Sequence, residues 1–349
     1  MKRHKICKII LAILSVFLCV AFYELIGICI TYKKQPAVSD ATIKETQNIM
    51  SVAGRENTER AVIIEKNSQA LLERVRLIQN AKDEIILSTF AFKSDESGKL
   101  ILGALHDAAD RGVHVRILVD GMESWIDMEG NPYFYGLSSH ENVEIKLYNK
   151  ANPLKPWKTM GRMHDKYLIA DGKIYILGGR NTYNYFLGDF PGHKNFDRDV
   201  LVVCDEPQKD NSVNQLWNYF ETIWEQEDCR YFHNSKKLAD RQSVKKAVLE
   251  LQKGYQQYFE VNKEKICDTD YADETFETEK ITLLSNPIHT QAKEPVVWYQ
   301  LGELMKNAKE RVKIHTPYII CNDMMYNTWE EIAQKVPDFS IMTNSVANN

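Results

Sequence analysis

Two stretches of this chain, more than two hundred residues apart, carry the same helix-then-strand pattern, and that duplication restricts the available folds more than any other feature. Residues 76–92, RLIQNAKDEIILSTFAF, lie over residues 303–319, ELMKNAKERVKIHTPYI, at an offset of 227, with Asn-Ala-Lys and an acidic residue shared. Residues 61–65 likewise match 281–285, and 115–121 match 339–345 at an offset of 224. Matches in the same order at nearly constant offset indicate a duplicated unit, with one whole half followed by the beginning of a second. In the first half, Leu71, Leu72, Val75 and Ile78 recur at helical spacing behind a cap expected at Asn67-Ser68. A buried strand is expected over 84–92, a helix over 98–111 closed by Gly112, and a strand over 113–119. Strands alternating with helices of this length make an α/β sheet with helices on its faces.

Residues 9–30 form a 22-residue apolar run, long enough to cross a hydrocarbon core of about 30 Å. It is longer than the apolar region of a secretory signal, so an uncleaved transmembrane anchor is expected. Lys2, Arg3, Lys5 and Lys8 precede it and only Lys33 and Lys34 follow closely, which places the N-terminus in the cytoplasm and the body outside. The expected organisation is a tail and transmembrane helix over 1–31, a polar stalk over 32–60, a first half over 61–232, a helical and acidic connector over 233–280, and an incomplete second half over 281–349. A net charge of −4 argues against a broad nucleic-acid footprint. The seven cysteines include no Cys-x2-Cys pair and the scattered acids have no ligand spacing, so neither a metal nor another cofactor is expected.

Chemistry concentrates in residues 161–181, GRMHDKYLIADGKIYILGGRN. An apolar run over 167–170 and an alternating run over 173–177 flank Asp171-Gly172, the signature of a tight hairpin. His164 and Lys166 are two apart in the first strand, so both project from one face. An imidazole can attack or protonate, an ammonium can hold a phosphate oxygen, Gly178-Gly179 allows close backbone approach, and Asn181 adds an amide donor.

The spacing H-x-K-x4-D-x6-G-G-x-N resembles the HKD signature of the phospholipase D superfamily. GGRN, residues 185–188 and residues 196–202 are similar to its cardiolipin synthase branch, although Gly179 stands where many relatives have serine. The resemblance covers residues 61–349 and implies a phospholipase D-like mixed sheet in which two HKD sets meet between two halves. One histidine would form a phosphohistidine and the other would protonate the leaving group. It implies catalytic roles for His164, Lys166 and Asp171, and phosphate binding by Lys166, Gly179 and Asn181. Asp197 or Asp199 would orient the partner histidine. Adding the repeat offset to His164 puts a second histidine near position 390, beyond Asn349, and His193, His233, His289 and His315 begin no such pattern. The expectation is therefore a chain that stops before its second motif, inactive as a monomer, its partner set coming from a further C-terminal segment or another chain. Phosphatidyl transfer between phospholipids such as phosphatidylglycerol is the leading expectation. A phospholipase D or nuclease-type hydrolase and a catalytically incomplete membrane protein are the alternatives.

Overall fold

The structure is a computed structural model that describes residues 2–51, 58–152 and 154–345; parts of the expected stalk (52–57) and of the expected second half (346–349) lie outside the described residues. It divides into two compact units. The first comprises residues 1–31 and 56–282, the second residues 32–55 and 283–349. In chain order α1 (Lys2–Tyr32) and α2 (Asp40–Ser51) come first. Helix α1 is long and apolar enough to cross a membrane, and most of its apolar run is exposed.

The body of the first unit begins with β1 (Glu59–Ile64), α3 (Asn67–Asn80), β2 (Glu84–Thr89), α4 (Glu96–Asp110) and β3 (His114–Asp120). Then follow α5 (Gly121–Asp127), α6 (Pro132–Ser138), β4 (Val143–Tyr148), β5 (Tyr167–Ala170) and β6 (Ile174–Gly178). The last elements are β7 (Asp199–Cys204), α7 (Ser212–Trp224), β8 (Cys229–Tyr231), α8 (Gln242–Cys267) and β9 (Phe276–Glu277). The strands form one mixed sheet of order β8-β4-β3-β2-β5-β6-β7-β1-β9, as expected for an α/β body. Strands β2, β3 and β4 run parallel, whereas β5 joins β2 antiparallel.

Alternation along the strands assigns each face its cover. Ile85, Leu87, Val115, Ile117, Leu168 and Ile176 enter a core shared with Leu71, Val75 and Ile78 of α3, Leu105 of α4 and Leu251 of α8. On the other face α7 lies over Arg116, which ion-pairs with Glu84 at 2.7 Å and Glu221 at 2.6 Å and faces the Phe220 ring at 4.8 Å.

Three local expectations change. The α3 cap is Lys66, without a side-chain cap bond, because the Asn67 side chain donates to the Asn195 carbonyl and accepts from Arg180. Residues 233–280 act as part of the first unit, not as a connector. Helix α8 packs on α3, α4 and α6, and β9 pairs with β1. The acidic stretch is held down by Arg76 of α3, which donates to the Asp268 and Asp270 carbonyls, binds Glu274 and stacks at 3.9 Å on the Tyr271 ring. The expected stalk contains α2, whose buried Thr42 donates at 2.6 Å to Glu294, so α2 belongs to the second unit, while Glu59 and Arg60 open β1 of the first.

The second unit continues with α9 (Val296–Lys306), β10 (Arg311–His315), α10 (Asp323–Lys335) and β11 (Asp338–Met342). Strands β10 and β11 are parallel, as β2 and β3 are, and each begins at the repeat offset from its counterpart. Residues 281–285 match β1 in sequence but form no strand, since no ladder partner lies beside them among the described residues.

Candidate active site

The hairpin forms as its turn residues require. Strands β5 and β6 pair from Tyr167↔Leu177 to Ala170↔Ile174, and Asp171 and Gly172 take left-handed φ values of 52° and 61°. Pairing with β2 fixes where each end of the hairpin lies. Ile85 lies opposite Ala170 and Ser88 opposite Tyr167, so the turn sits at the start of β2 and the His164 end at its C-terminal end. Loops at the carboxyl ends of parallel strands are where α/β sheets place their ligands.

At that end His164, Lys166 and Arg162 gather around one ring. The His164 imidazole meets Phe90 edge-on at 4.5 Å between centroids. The Lys166 ammonium lies 5.4 Å and the Arg162 guanidinium 4.9 Å from the same ring. These residues precede β5 instead of lying within it, and side-chain bonds hold them in place. Asp120, at the end of β3, accepts from the Met163 amide at 3.1 Å and from Arg162 Nε at 2.9 Å, while capping α5. Tyr219 of α7 donates at 2.8 Å to Asp165, between His164 and Lys166.

This environment shapes the two titrating groups. Lys166 is buried, and desolvation lowers its pKa to about 8 against the opposing pull of Asp165 and Asp197. Its Nζ donates at 2.6 Å to the His164 carbonyl. His164 retains solvent access, yet partial burial, followed by the Lys166 and Arg162 charges, lowers its pKa against the opposing effect of Asp120. A neutral imidazole beside a cation is what attack on a phosphodiester requires.

Asn181 reaches the same end of β2. Its Oδ1 accepts from the Ala91 amide at 3.1 Å, and Thr182 and Ala91 are bonded through their backbones. Among the described residues its Nδ2 makes no hydrogen bond, which leaves a donor for a ligand oxygen.

Three expected roles are corrected. Asp171 lies at the far end of the hairpin, where its carboxylate accepts from the Lys82, Asp83 and Glu84 amides, so it anchors the turn entering β2 and does not join the reacting groups. The glycine pair admits protein rather than ligand. A Cβ on Gly178 would lie 2.5 Å from the Arg198 carbonyl, and one on Gly179 would lie 2.1 Å from Asp197 Oδ2. Asp199 is buried in an ion trio with Arg74 at 2.9 Å and Arg180 at 3.2 Å, a structural position. Asp197 remains near the site, over Gly179 and within electrostatic reach of Lys166.

Phe90, Arg162, Asp120 and Tyr219 were not singled out from the sequence. The alternation Arg162, His164, Lys166 carried a signal for Arg162, and the strand-end position of Asp120 a weaker one. Tyr219 comes from a helix more than fifty residues away and had none.

Residues 75–224 match the family described as cardiolipin synthase, PLD-like domain. An uncharacterized protein of Helicobacter pylori (strain ATCC 700392 / 26695) is 27% identical over 320 residues, covering 84% of this chain and 60% of its own length. Cardiolipin synthase C of Escherichia coli (strain K12) is 29% identical over 154 residues, 40% of this chain and 31% of that protein. Cardiolipin synthase 1 of Staphylococcus aureus (strain MRSA252) is 35% identical over 112 residues, 32% of this chain and 22% of that protein. The chain thus spans about 60% of the length of the first curated relatives it matches. The solved phosphatidylserine synthase of Haemophilus influenzae Rd KW20 shares the fold, with a TM-score of 0.56 at 14% identity over 87% of this chain and 66% of that one. The family match falls on the sheet and hairpin that assemble His164, Lys166 and Asn181, and over residues 75–224 it supports a phospholipase D-like domain near the cardiolipin synthases.

Proposed function

We propose that this chain contributes the nucleophile-bearing HKD set of a membrane-anchored phosphatidyltransferase that forms cardiolipin-like lipids. The observation that carries this reading is the juxtaposition of a neutral-shifted His164 with the buried, cationic Lys166 over Phe90. An imidazole nitrogen of His164 attacks the phosphorus of a phosphatidyl donor such as phosphatidylglycerol. The bond to the leaving alcohol breaks, and that alkoxide takes a proton from an acid in a second HKD set, supplied by another segment or another chain. A second lipid's hydroxyl then attacks the phosphohistidine, loses its proton to that same group, now deprotonated and acting as base, and the P–N bond breaks to release His164. Lys166 and the Asn181 amide hold the phosphoryl oxygens while charge builds. Asp197 is placed to orient the partner histidine. The basic residues that precede the apolar run 9–30 support a body outside the cytoplasm, and labelling of Lys155 and Lys236 by a membrane-impermeant reagent on intact cells checks that orientation.

The test supplies phosphatidylglycerol vesicles to the full chain together with a second HKD set, in cis or in trans. Cardiolipin formation should fall by about 10²–10⁴-fold or more in His164→Ala, with a phosphoryl adduct trapped on His164 in the unmodified protein. Phosphatidic acid as the sole product, or cleavage of DNA in place of lipid, would replace transfer by hydrolysis. Full turnover in His164→Ala would remove the proposal.

A further inference from the structure

We propose that residues 154–160, with Trp125 and Ile126 of α5, form a second membrane contact that sets the His164 end of the site against the phospholipid surface. This inference rests on the reading of α1 as a bilayer span. Leu154 is 77%, Ile126 68%, Trp125 61% and Met160 60% exposed. Leu154 precedes and Met160 ends a single 3-10 turn, Pro156–Met160, whose base is fixed from the residue after β4: the Asn149 side chain donates to the Lys158 and Gly161 carbonyls at 2.6 and 2.8 Å. Helix α5 shares that base. Gly121 lies so close to Lys150 that a Cβ would sit 2.7 Å from its Cα, and Arg162 bonds Glu123 at 3.2 Å.

What covers these side chains is indicated by α1, which belongs to the same compact unit. The Tyr23 hydroxyl donates at 2.9 Å to the Leu154 carbonyl, and the Tyr23 and Trp157 rings meet edge-on at 5.3 Å. Gly27 is the residue that admits the Trp157 indole, since a Cβ there would lie 2.2 Å from Cε3. Gly27 and Tyr23 are three and seven residues inside the outer end of the apolar run at Ile30, or about 4 and 10 Å along the helix axis. That is the depth of about 5–10 Å at which interfacial segments bury apolar side chains, and tryptophan and tyrosine are the residues that concentrate there. Whatever surrounds Tyr23 and Gly27 therefore continues over Leu154 and Trp157, and around a spanning helix that is lipid. The exposed Lys150 and Lys155 flank the turn and suit anionic headgroups. The arrangement would deliver a phosphodiester to His164 without lifting the lipid from its bilayer.

The experiment introduces a photo-crosslinking amino acid, one position at a time, into the full chain in phosphatidylglycerol-containing nanodiscs and reads adducts by mass. Positions 154, 160 and 126 are compared with 249 and 261, which are also apolar and exposed but lie on α8, and with 16, inside the span. Lipid adducts at 16, 154, 160 and 126, several-fold above those at 249 and 261, are the expected result. Adducts at 16 with none above control at 154 and 160 would overturn the contact while leaving the anchor intact, and absence of lipid at 16 would overturn both. Crosslinks from 154 and 160 to another protein chain in place of lipid would also overturn it.

Discussion

The β2–α4–β3 unit and the β10–α10–β11 unit share order, parallel pairing and register, yet one is a core and the other is largely solvated. Five of the six β2 residues and six of the seven in β3 are buried, whereas β10 has one buried residue and β11 none. The difference is partly written in the chain. Glu84, Ile86 and Ser88 face α7, while their counterparts Arg311, Lys313 and His315 form a polar face with no such helix over it among the described residues. Arg74 of α3 is buried against Asp199, while its counterpart in α9 is Leu301, 38% exposed. A βαβ unit thus forms from local pattern, but becomes a core only where neighbours close both faces of the sheet.

If that closure is the source of the contrast, the largest effect belongs to the buried trio that ties α3 to β7. Asp199→Ala strands two guanidinium groups and should cost the first unit about 3–5 kcal/mol, with Arg180 the more affected because it is fully buried. Hydrogen exchange in β1, α3 and β7 peptides reads the loss, and unchanged protection in the second unit would sharpen the comparison. Equal loss in both units would break it.

A matched pair of truncations tests the sheets directly. Leu87→Ala in β2, where the side chain is buried, should cost about 2–5 kcal/mol. Ile314→Ala, at the equivalent place in partly exposed β10, should cost about 1 kcal/mol or less. Comparable costs, measured by exchange in each strand, would show that β10 is covered in solution.

Burial of the first unit also sets a pH dependence that a solvated copy would lack. Below the lowered pKa of His164 the imidazole gains a proton and cannot attack, while above about pH 8 Lys166 loses the charge that holds phosphate. Turnover in the complete assembly should therefore peak between these limits, with kcat/KM falling about tenfold per pH unit on the far alkaline side. A flat profile to pH 10 would mean that Lys166 is better solvated than its surroundings indicate.

Features that depend on near neighbours are legible in the chain alone. Asp171-Gly172 turns the hairpin because those residues accept positive φ, Gly112 closes α4 for the same reason, and 3.6-residue spacing commits Leu71, Val75 and Ile78 to one face of α3. The spacing of His164, Lys166 and Asn181 was legible because chemistry there follows short intervals along one hairpin. The partners of these groups come from packing across the folded sheet. That packing sent Asp171 to the amides before β2, placed Asp199 between two arginines, filled the space over Gly179 with Asp197, and put Phe90 under three basic groups. It also turned an acidic stretch into the cover of Arg76. A carboxylate reads the same in sequence whether it meets a substrate, a backbone amide or a guanidinium. The choice is made by whichever donor the packed sheet brings within about 3 Å, often from far along the chain.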